Sequence, residues 1–168
     1  MIIITPNFFN NFEYIKESFK KIPLYDMNEF NKKFSATDTW PGLRSSPLCS
    51  SAKFLTIFFC EMLQKHNLLM NPFDYRCELF IHLRLEKDQD KDWVHKDSCQ
   101  HSAIVYLSDS NYNSGTCFYD EDKKTVVHKA GFVQNTCVFF NPKILHKSVL
   151  NYGTNINNGR LTLNAFFY

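Results

Sequence analysis

The sequence predicts an α+β protein in which a jelly-roll sandwich of seven or eight strands is backed by helices. Three observations lead there. The chain has 168 residues, the size of one compact domain. Helical spacing is confined to the part before residue 73, and short strand-like runs fill the part after it, an order that belongs to segregated α+β folds rather than to alternating parallel-sheet ones. The 17 Phe and 8 Tyr supply rings for a core between layers. One domain, 1–168, is expected, with 1–72 as helical support and 73–168 as the sandwich.

Residues 11–21 read as the first helix. Residues 51–69 read as the second, because Phe54, Ile57, Phe58, Met62 and Leu63 recur three to four apart and share a face. Asn71-Pro72 ends it, since the residue before a proline is pushed out of the helical region. Between the helices, Trp40-Pro41-Gly42-Leu43-Arg44-Ser45 reads as a type II turn, with proline preset at the second position and glycine free at the third. Seven runs rich in β-branched and aromatic residues follow at 75–85, 103–107, 116–119, 125–128, 136–140, 147–150 and 160–166, separated by polar turns. The charged stretches 86–92 and 120–124 mix acids with bases and read as solvated hairpin tips. The first is also a candidate substrate-facing loop.

Composition narrows the function. Lys+Arg of 19 against Asp+Glu of 17 leaves a net charge of +2, too small for a broad nucleic-acid or anionic-membrane surface. No apolar run approaches the roughly 18 residues of a membrane span. The start, Met1-Ile2-Ile3-Ile4-Thr5-Pro6, lacks the basic and cleavage regions of a secretory signal. The 6 Cys contain no CxxC pair, so neither a zinc ribbon nor a dithiol site is suggested. Reduced thiols in a cytoplasmic setting are expected.

The chemistry concentrates in Trp93-Val94-His95-Lys96-Asp97, an extended stretch in which His95 and Asp97, two apart, share a face. His146, after a buried-looking strand, offers a third donor. Two histidines and one carboxylate form the facial set that leaves positions open on a non-haem Fe(II). An HxD also arises by chance in surface loops; the bland alternative pairs His95 with Asp97 in a turn and leaves His146 at a strand end. Arg160 and Thr162, two apart in the last strand, add a guanidinium beside a hydroxyl, suited to bidentate capture of a carboxylate. An Arg paired with an acid on an edge strand is the competing reading.

The order His95-x-Asp97, His146, Arg160-x-Thr162 resembles the motif of the 2-oxoglutarate- and Fe(II)-dependent oxygenases, prolyl-hydroxylase-like group, over about residues 75–168, and Trp40-Pro41-Gly42-Leu43-Arg44-Ser45 resembles a turn of its small bacterial and phage-encoded members. Ala103-Ile104-Val105-Tyr106-Leu107 is similar to the strand whose tyrosine contacts the cosubstrate, Tyr106 being the matching position. Ser114-Gly115-Thr116 resembles the family's glycine turn, with Ser114 where Gly-Gly is usual. Residues 135–141 resemble the strand leading to the distal histidine. The resemblance implies a double-stranded β-helix (cupin-like) core, with His95, Asp97 and His146 as metal ligands. It also implies Arg160, Thr162 and Tyr106 as cosubstrate contacts, Fe(II) and 2-oxoglutarate as cofactors, and ascorbate as a supporting reductant. The implied reaction consumes dioxygen, converts 2-oxoglutarate to succinate and carbon dioxide, and hydroxylates a protein side chain or a small molecule.

Alternatives are weighed by residue. Nucleic-acid demethylating relatives carry a second arginine six residues after the first, and here that position is Phe166. Halogenating relatives lose the carboxylate ligand, whereas Asp97 is present. A zinc hydrolase would leave Arg160 and Thr162 without purpose, and a non-catalytic jelly-roll module would not need the full ligand set. His101 is either a partner of Asp97 or a surface residue. His82 either lines the cavity or is half-exposed, and Arg44 is a candidate at the substrate entrance. His66 and His128 read as structural, and Phe139, Phe140, Phe166 and Phe167 as core.

Overall fold

The computed structural model describes residues 1–37, 39–48, 53–67 and 76–168. The elements in chain order are β1 (Ile2–Thr5), α1 (Phe12–Lys20), β2 (Leu24–Tyr25), α2 (Met27–Phe34), β3 (Leu43–Ser45), α3 (Lys53–Lys65), β4 (Cys77–Arg84), a 3-10 turn (Glu86–Lys91), β5 (His101–Tyr106), β6 (Asn111–Tyr119), β7 (Val126–Phe132), β8 (Cys137–Phe140), β9 (Leu145–Val149) and β10 (Arg160–Phe167). They form two antiparallel sheets. The larger runs β1-β8-β5-β10-β4-β3-β2 and the smaller β7-β6-β9, the two-layer arrangement of a jelly roll.

Strand alternation builds the layers. On β10, Leu161, Leu163, Ala165 and Phe167 join Leu79, Ile81 and Leu83 of β4 and Ala103 and Val105 of β5 in one core, into which Phe12 and Phe19 of α1 and Leu55, Phe59 and Leu63 of α3 pack. The residues between them point the other way. Ile104 and Tyr106 meet Phe118, Ala130 and Phe132 between the two sheets, while His82, Arg84, Arg160 and Thr162 line a cavity there. One face of the large sheet is therefore dry, and the other carries polar chemistry in its middle.

All seven expected strands are present, though the expected starts at 51 and 75, the Asn71-Pro72 stop, the composition change at 73 and Cys49 lie outside the described residues. The first part of the chain supplies more than helical support. β1 extends the large sheet beside β8, and β2 and β3 extend it beyond β4. The helix α2 is an addition to the two helices expected; Asp26 caps it by accepting from Glu29 N at 2.9 Å, and Glu29 accepts in return from Asp26 N. On α3 the buried face is Leu55, Phe59, Cys60 and Leu63, while Phe54 and Ile57 are exposed, because the helix is turned by about one position from the expected stripe. Residues 120–124 form the β6–β7 hairpin turn as expected. The stretch 86–92 instead folds into the 3-10 turn, with Asp88 buried and accepting from Leu85 N at 3.0 Å. Among the described residues, Cys60, Cys77, Cys99, Cys117 and Cys137 are free, buried thiols, and no helix is long and apolar enough to cross a membrane.

Candidate functional site

His95 and Asp97 lie in an extended stretch laid along the edge of the small sheet. His95 forms an antiparallel bridge with His146 at the start of β9, and Asp97 N donates to Pro142 O at 3.0 Å. The backbone pairing brings the three side chains together. His146 Nε2 lies 3.4 Å from Asp97 Oδ2 and His95 Nε2 lies 3.7 Å from Asp97 Oδ1, and one donor atom from each residue falls within 4.8 Å of the others.

Both rings are oriented for ligation. The Nδ1 atoms of His95 and His146 sit 2.9 Å from the carbonyls of Trp93 and Ile144. A carbonyl only accepts, so each Nδ1 donates there and each Nε2 is left on the side of Asp97, where a metal would sit. Burial, reinforced by the nearby His146, holds the His95 imidazole below its ordinary pKa, which keeps it neutral. Burial acts to raise Asp97, but His146, His95 and the Ser102 hydroxyl outweigh it and hold the carboxyl below the usual range. Ser102 Oγ donates to Asp97 Oδ2 at 2.9 Å. His101 does not take that place; half-buried at the start of β5, it borders a separate cavity with Gln100 and Leu63.

The cavity beside the triad has a volume of about 200 Å³, below the roughly 300–1,000 Å³ typical of drug-sized ligands. It admits a small molecule or one side chain with its neighbours. Arg160, 4% exposed, lies in its wall on β10, an interior strand between β5 and β4. Its Nη2 donates to Gly115 O at 3.2 Å, and its buried Nε has no partner. Among the described residues Arg160 forms no ion pair, so the edge-strand salt-bridge reading does not apply. Glycine at 115 is required by the close pairing of β6 with β7: its φ is +146°, and a Cβ there would run into the Ala130 carbonyl. Thr162 lines the cavity and donates to Asn164 Oδ1 at 2.7 Å.

Tyr106 departs from expectation. It is fully buried and stacked on Phe132 at 4.4 Å, and its hydroxyl donates to Thr116 Oγ1 at 2.9 Å, with the Ala130 carbonyl at 3.3 Å. Thr116, not Tyr106, reaches the cavity wall. Phe140 and Phe166, expected as core, also line the cavity. The Pro41-Gly42 turn is as expected, with Gly42 at φ +84°, and it delivers Arg44 to the cavity with its guanidinium 3.6 Å from the Phe80 ring centre and 4.6 Å from that of Trp40. His82 is buried and lines the cavity.

Sequence reasoning missed Ser102, Thr116 and the pair Arg84–Asp92, whose Nη1 and Oδ2 lie 3.2 Å apart. Alternation along β5 carried the signal for Ser102, since it shares a face with Ile104 and Tyr106. Asp92 carried none, because its partners come from β4 and from Ser148 of β9, which donates to it.

No family model matches the sequence, and no curated protein matches it. Solved structures do match in fold. HygX from Streptomyces hygroscopicus, solved with nickel, 2-oxoglutarate and hygromycin B, is similar at TM-score 0.65 and 11% identity, over 98% of this chain and 82% of that one. A 2OG-Fe(II) oxygenase family oxidoreductase from Burkholderia pseudomallei is similar at TM-score 0.64 and 12% identity, over 99% and 83%. The viral collagen prolyl hydroxylase of Paramecium bursaria Chlorella virus-1, in its 2-oxoglutarate complex, is similar at TM-score 0.61 and 11% identity, over 99% and 94%. The chain has the fold of the 2-oxoglutarate/Fe(II) oxygenases, a double-stranded β-helix.

Proposed function

We propose that this chain is an Fe(II)- and 2-oxoglutarate-dependent dioxygenase that hydroxylates a protein side chain or a small molecule. The observation that carries the reading is the convergence of His95, Asp97 and His146 on one point in the cavity whose wall holds the unpaired Nε of Arg160. The donor set fits the group. Two imidazole Nε2 atoms and a carboxylate held below its usual pKa suit a divalent first-row ion and leave other positions open. The buried guanidinium, with no acid at salt-bridge distance among the described residues, suits a carboxylate at some distance from the metal.

His95, Asp97 and His146 would hold the metal, and Arg160 with Thr162 would hold the far carboxylate of 2-oxoglutarate. When bound, Fe(II) and 2-oxoglutarate supply oxidising power: one atom of O₂ ends in succinate with loss of CO₂, and the other in the hydroxyl that replaces a substrate hydrogen. The protein's own part is placement. Ser102 fixes the Asp97 carboxylate by its hydrogen bond, and the carbonyls of Trp93 and Ile144 fix the two rings. Phe140 and Phe166 give the cavity apolar walls that limit water. The cavity volume favours a small molecule or a projecting side chain as substrate. The free, buried thiols support a reducing, cytoplasmic setting.

Purified protein supplied with Fe(II), ascorbate, oxygen and 2-oxoglutarate tests the reading, with succinate as the readout. Turnover above a metal-free control is expected even without a primary substrate. No succinate, together with no anaerobic binding of 2-oxoglutarate, would overturn it.

A further inference from the structure

On the inner face of the large sheet, Thr162 pairs in register with His82 on one side and with Tyr106 on the other. Arg160 and Arg84 stand opposite each other two residues along. Side chains directly across neighbouring antiparallel strands stand about 4.5–5.5 Å apart at Cβ, so His82 and Thr162 are side-chain neighbours on the inner face. His82 is 8% exposed, lines the cavity, and its buried Nε2 has no hydrogen-bond partner among the described residues. An unpaired polar atom in such a place costs free energy unless a ligand satisfies it.

Tyr106, across Thr162 from His82, has its hydroxyl engaged by Thr116 and Ala130. Two residues that carry orphaned polar atoms among the described residues, Arg160 at Nε and His82 at Nε2, therefore line one cavity with Thr162, whose hydroxyl donates to Asn164 Oδ1 and would turn to meet a ligand. We propose that His82 Nε2, with Arg160 and Thr162, holds the distal carboxylate of 2-oxoglutarate, and that Tyr106 instead orients Thr116. This inference rests on the oxygenase reading above. His82 serves as a neutral donor: burial, and then Arg44, Arg84 and Arg160, keep its pKa well below the ordinary value. A neutral N–H suits a carboxylate already facing an arginine, because it adds a hydrogen bond without a further buried charge.

The test compares two 2-oxo acids that offer the metal the same chelating end. 2-Oxoglutarate has a distal carboxylate, and 2-oxopentanoate, of equal chain length, has none. Each is titrated anaerobically into the Fe(II) protein, following the absorption of the chelate. His82→Leu is expected to weaken 2-oxoglutarate binding roughly tenfold to a hundredfold, to leave 2-oxopentanoate unchanged, and to be largely rescued in His82→Gln, which restores a donor. The unsubstituted protein gives an independent readout. In its Zn(II) form the His82 Nε2 nitrogen resonance should move with 2-oxoglutarate and stay in place with 2-oxopentanoate.

Equal weakening of both acids, or no weakening of either together with an unmoved resonance, would overturn the His82 assignment while leaving the oxygenase reading intact. If the unsubstituted protein binds neither acid, the oxygenase reading itself falls.

Discussion

The backbones of His95 and His146 are paired as an antiparallel bridge, the N–H of each donating to the carbonyl of the other at 3.0 and 2.9 Å, which holds the two rings 4.5 Å apart. Two of the three candidate ligands are thus placed by sheet register. A slip of one residue would turn one ring to the opposite face. Because Phe118 of β6 pairs with His146 on its other side, the register is fixed from a buried strand outward. The site inherits the rigidity of the small sheet.

Asp97→Ala should abolish tight divalent-metal binding and leave the protein folded. The substitution removes one of three donors and the acceptor of the Ser102 hydroxyl, a hydrogen bond worth about 0.5–1.5 kcal/mol, while the phenylalanine-rich core is untouched. Calorimetric titration with Mn(II), beside a thermal melt of the metal-free protein, measures both. Metal affinity equal to that of the unsubstituted chain would refute the role of Asp97.

Residues whose role follows from strand periodicity were legible in the sequence. His95 with Asp97, and Arg160 with Thr162, are two apart in extended segments, and their shared faces are those of the structure. His146 was legible as the first histidine after the Cys137–Phe140 strand. Residues whose role depends on long-range contact were hidden. Ser148 and Arg84 reach Asp92 from separate strands, and local sequence carries no trace of that meeting. The engagement of Tyr106 was hidden for the same reason, since its partners, Thr116 and Ala130, belong to the facing sheet. The short strands β2 and β3 escaped because they contain only two and three residues, too few to show alternation. The 3-10 turn escaped because its charges look solvated, although Asp88 turns inward to the Leu85 amide.

Acid should destabilise the metal-free protein through His82. In the unfolded chain this imidazole takes up a proton near the ordinary value of 6.5; in the folded protein, burial and the nearby Arg44, Arg84 and Arg160 postpone protonation to much lower pH. Between those two limits the unfolded state binds the extra proton. Stability is therefore fully present above about pH 6.5 and falls as pH drops through the window, by about 1.4 kcal/mol per pH unit for this one group. His95, also shifted down, adds in the same direction. Urea midpoints measured from neutral to mildly acid pH should show the decline, and His82→Gln should flatten it. Identical slopes in the two proteins would contradict the prediction.

Arg160→Ala should leave metal affinity unchanged and weaken 2-oxoglutarate by about 2–5 kcal/mol, the size of a charge-assisted hydrogen bond removed from a desolvated pocket. Thr162→Val should weaken it by about 0.5–1.5 kcal/mol. Anaerobic titration of the Fe(II) form reads both. Unchanged affinity in the Arg160 variant would assign the arginine to holding Gly115 alone.

Asp92→Asn should destabilise the fold and loosen the metal site together. The carboxylate lies three residues before His95 in the chain, accepts from Ser148 two residues beyond His146, and faces Arg84 at 3.2 Å. It ties the segment that carries one candidate ligand to the strand that carries another. Its side chain is 3% exposed and that of Arg84 is 11% exposed, so removing the negative charge leaves a guanidinium inside the cavity with its main partner gone. Breaking such a pair costs about 3–5 kcal/mol, and the low end is expected because Asp88 also acts on Arg84. A denaturant melt measures this first effect. The second follows from position: with the tie weakened, His95 samples more orientations, and metal affinity should fall although every ligand is present. The double variant Arg84→Met, Asp92→Leu separates the two. Replacing both charges removes the unpaired cation, so stability should largely return, whereas metal affinity should stay reduced because a leucine at position 92 cannot accept from the Ser148 hydroxyl. Full recovery of metal affinity in the double variant would show that the pair serves stability only.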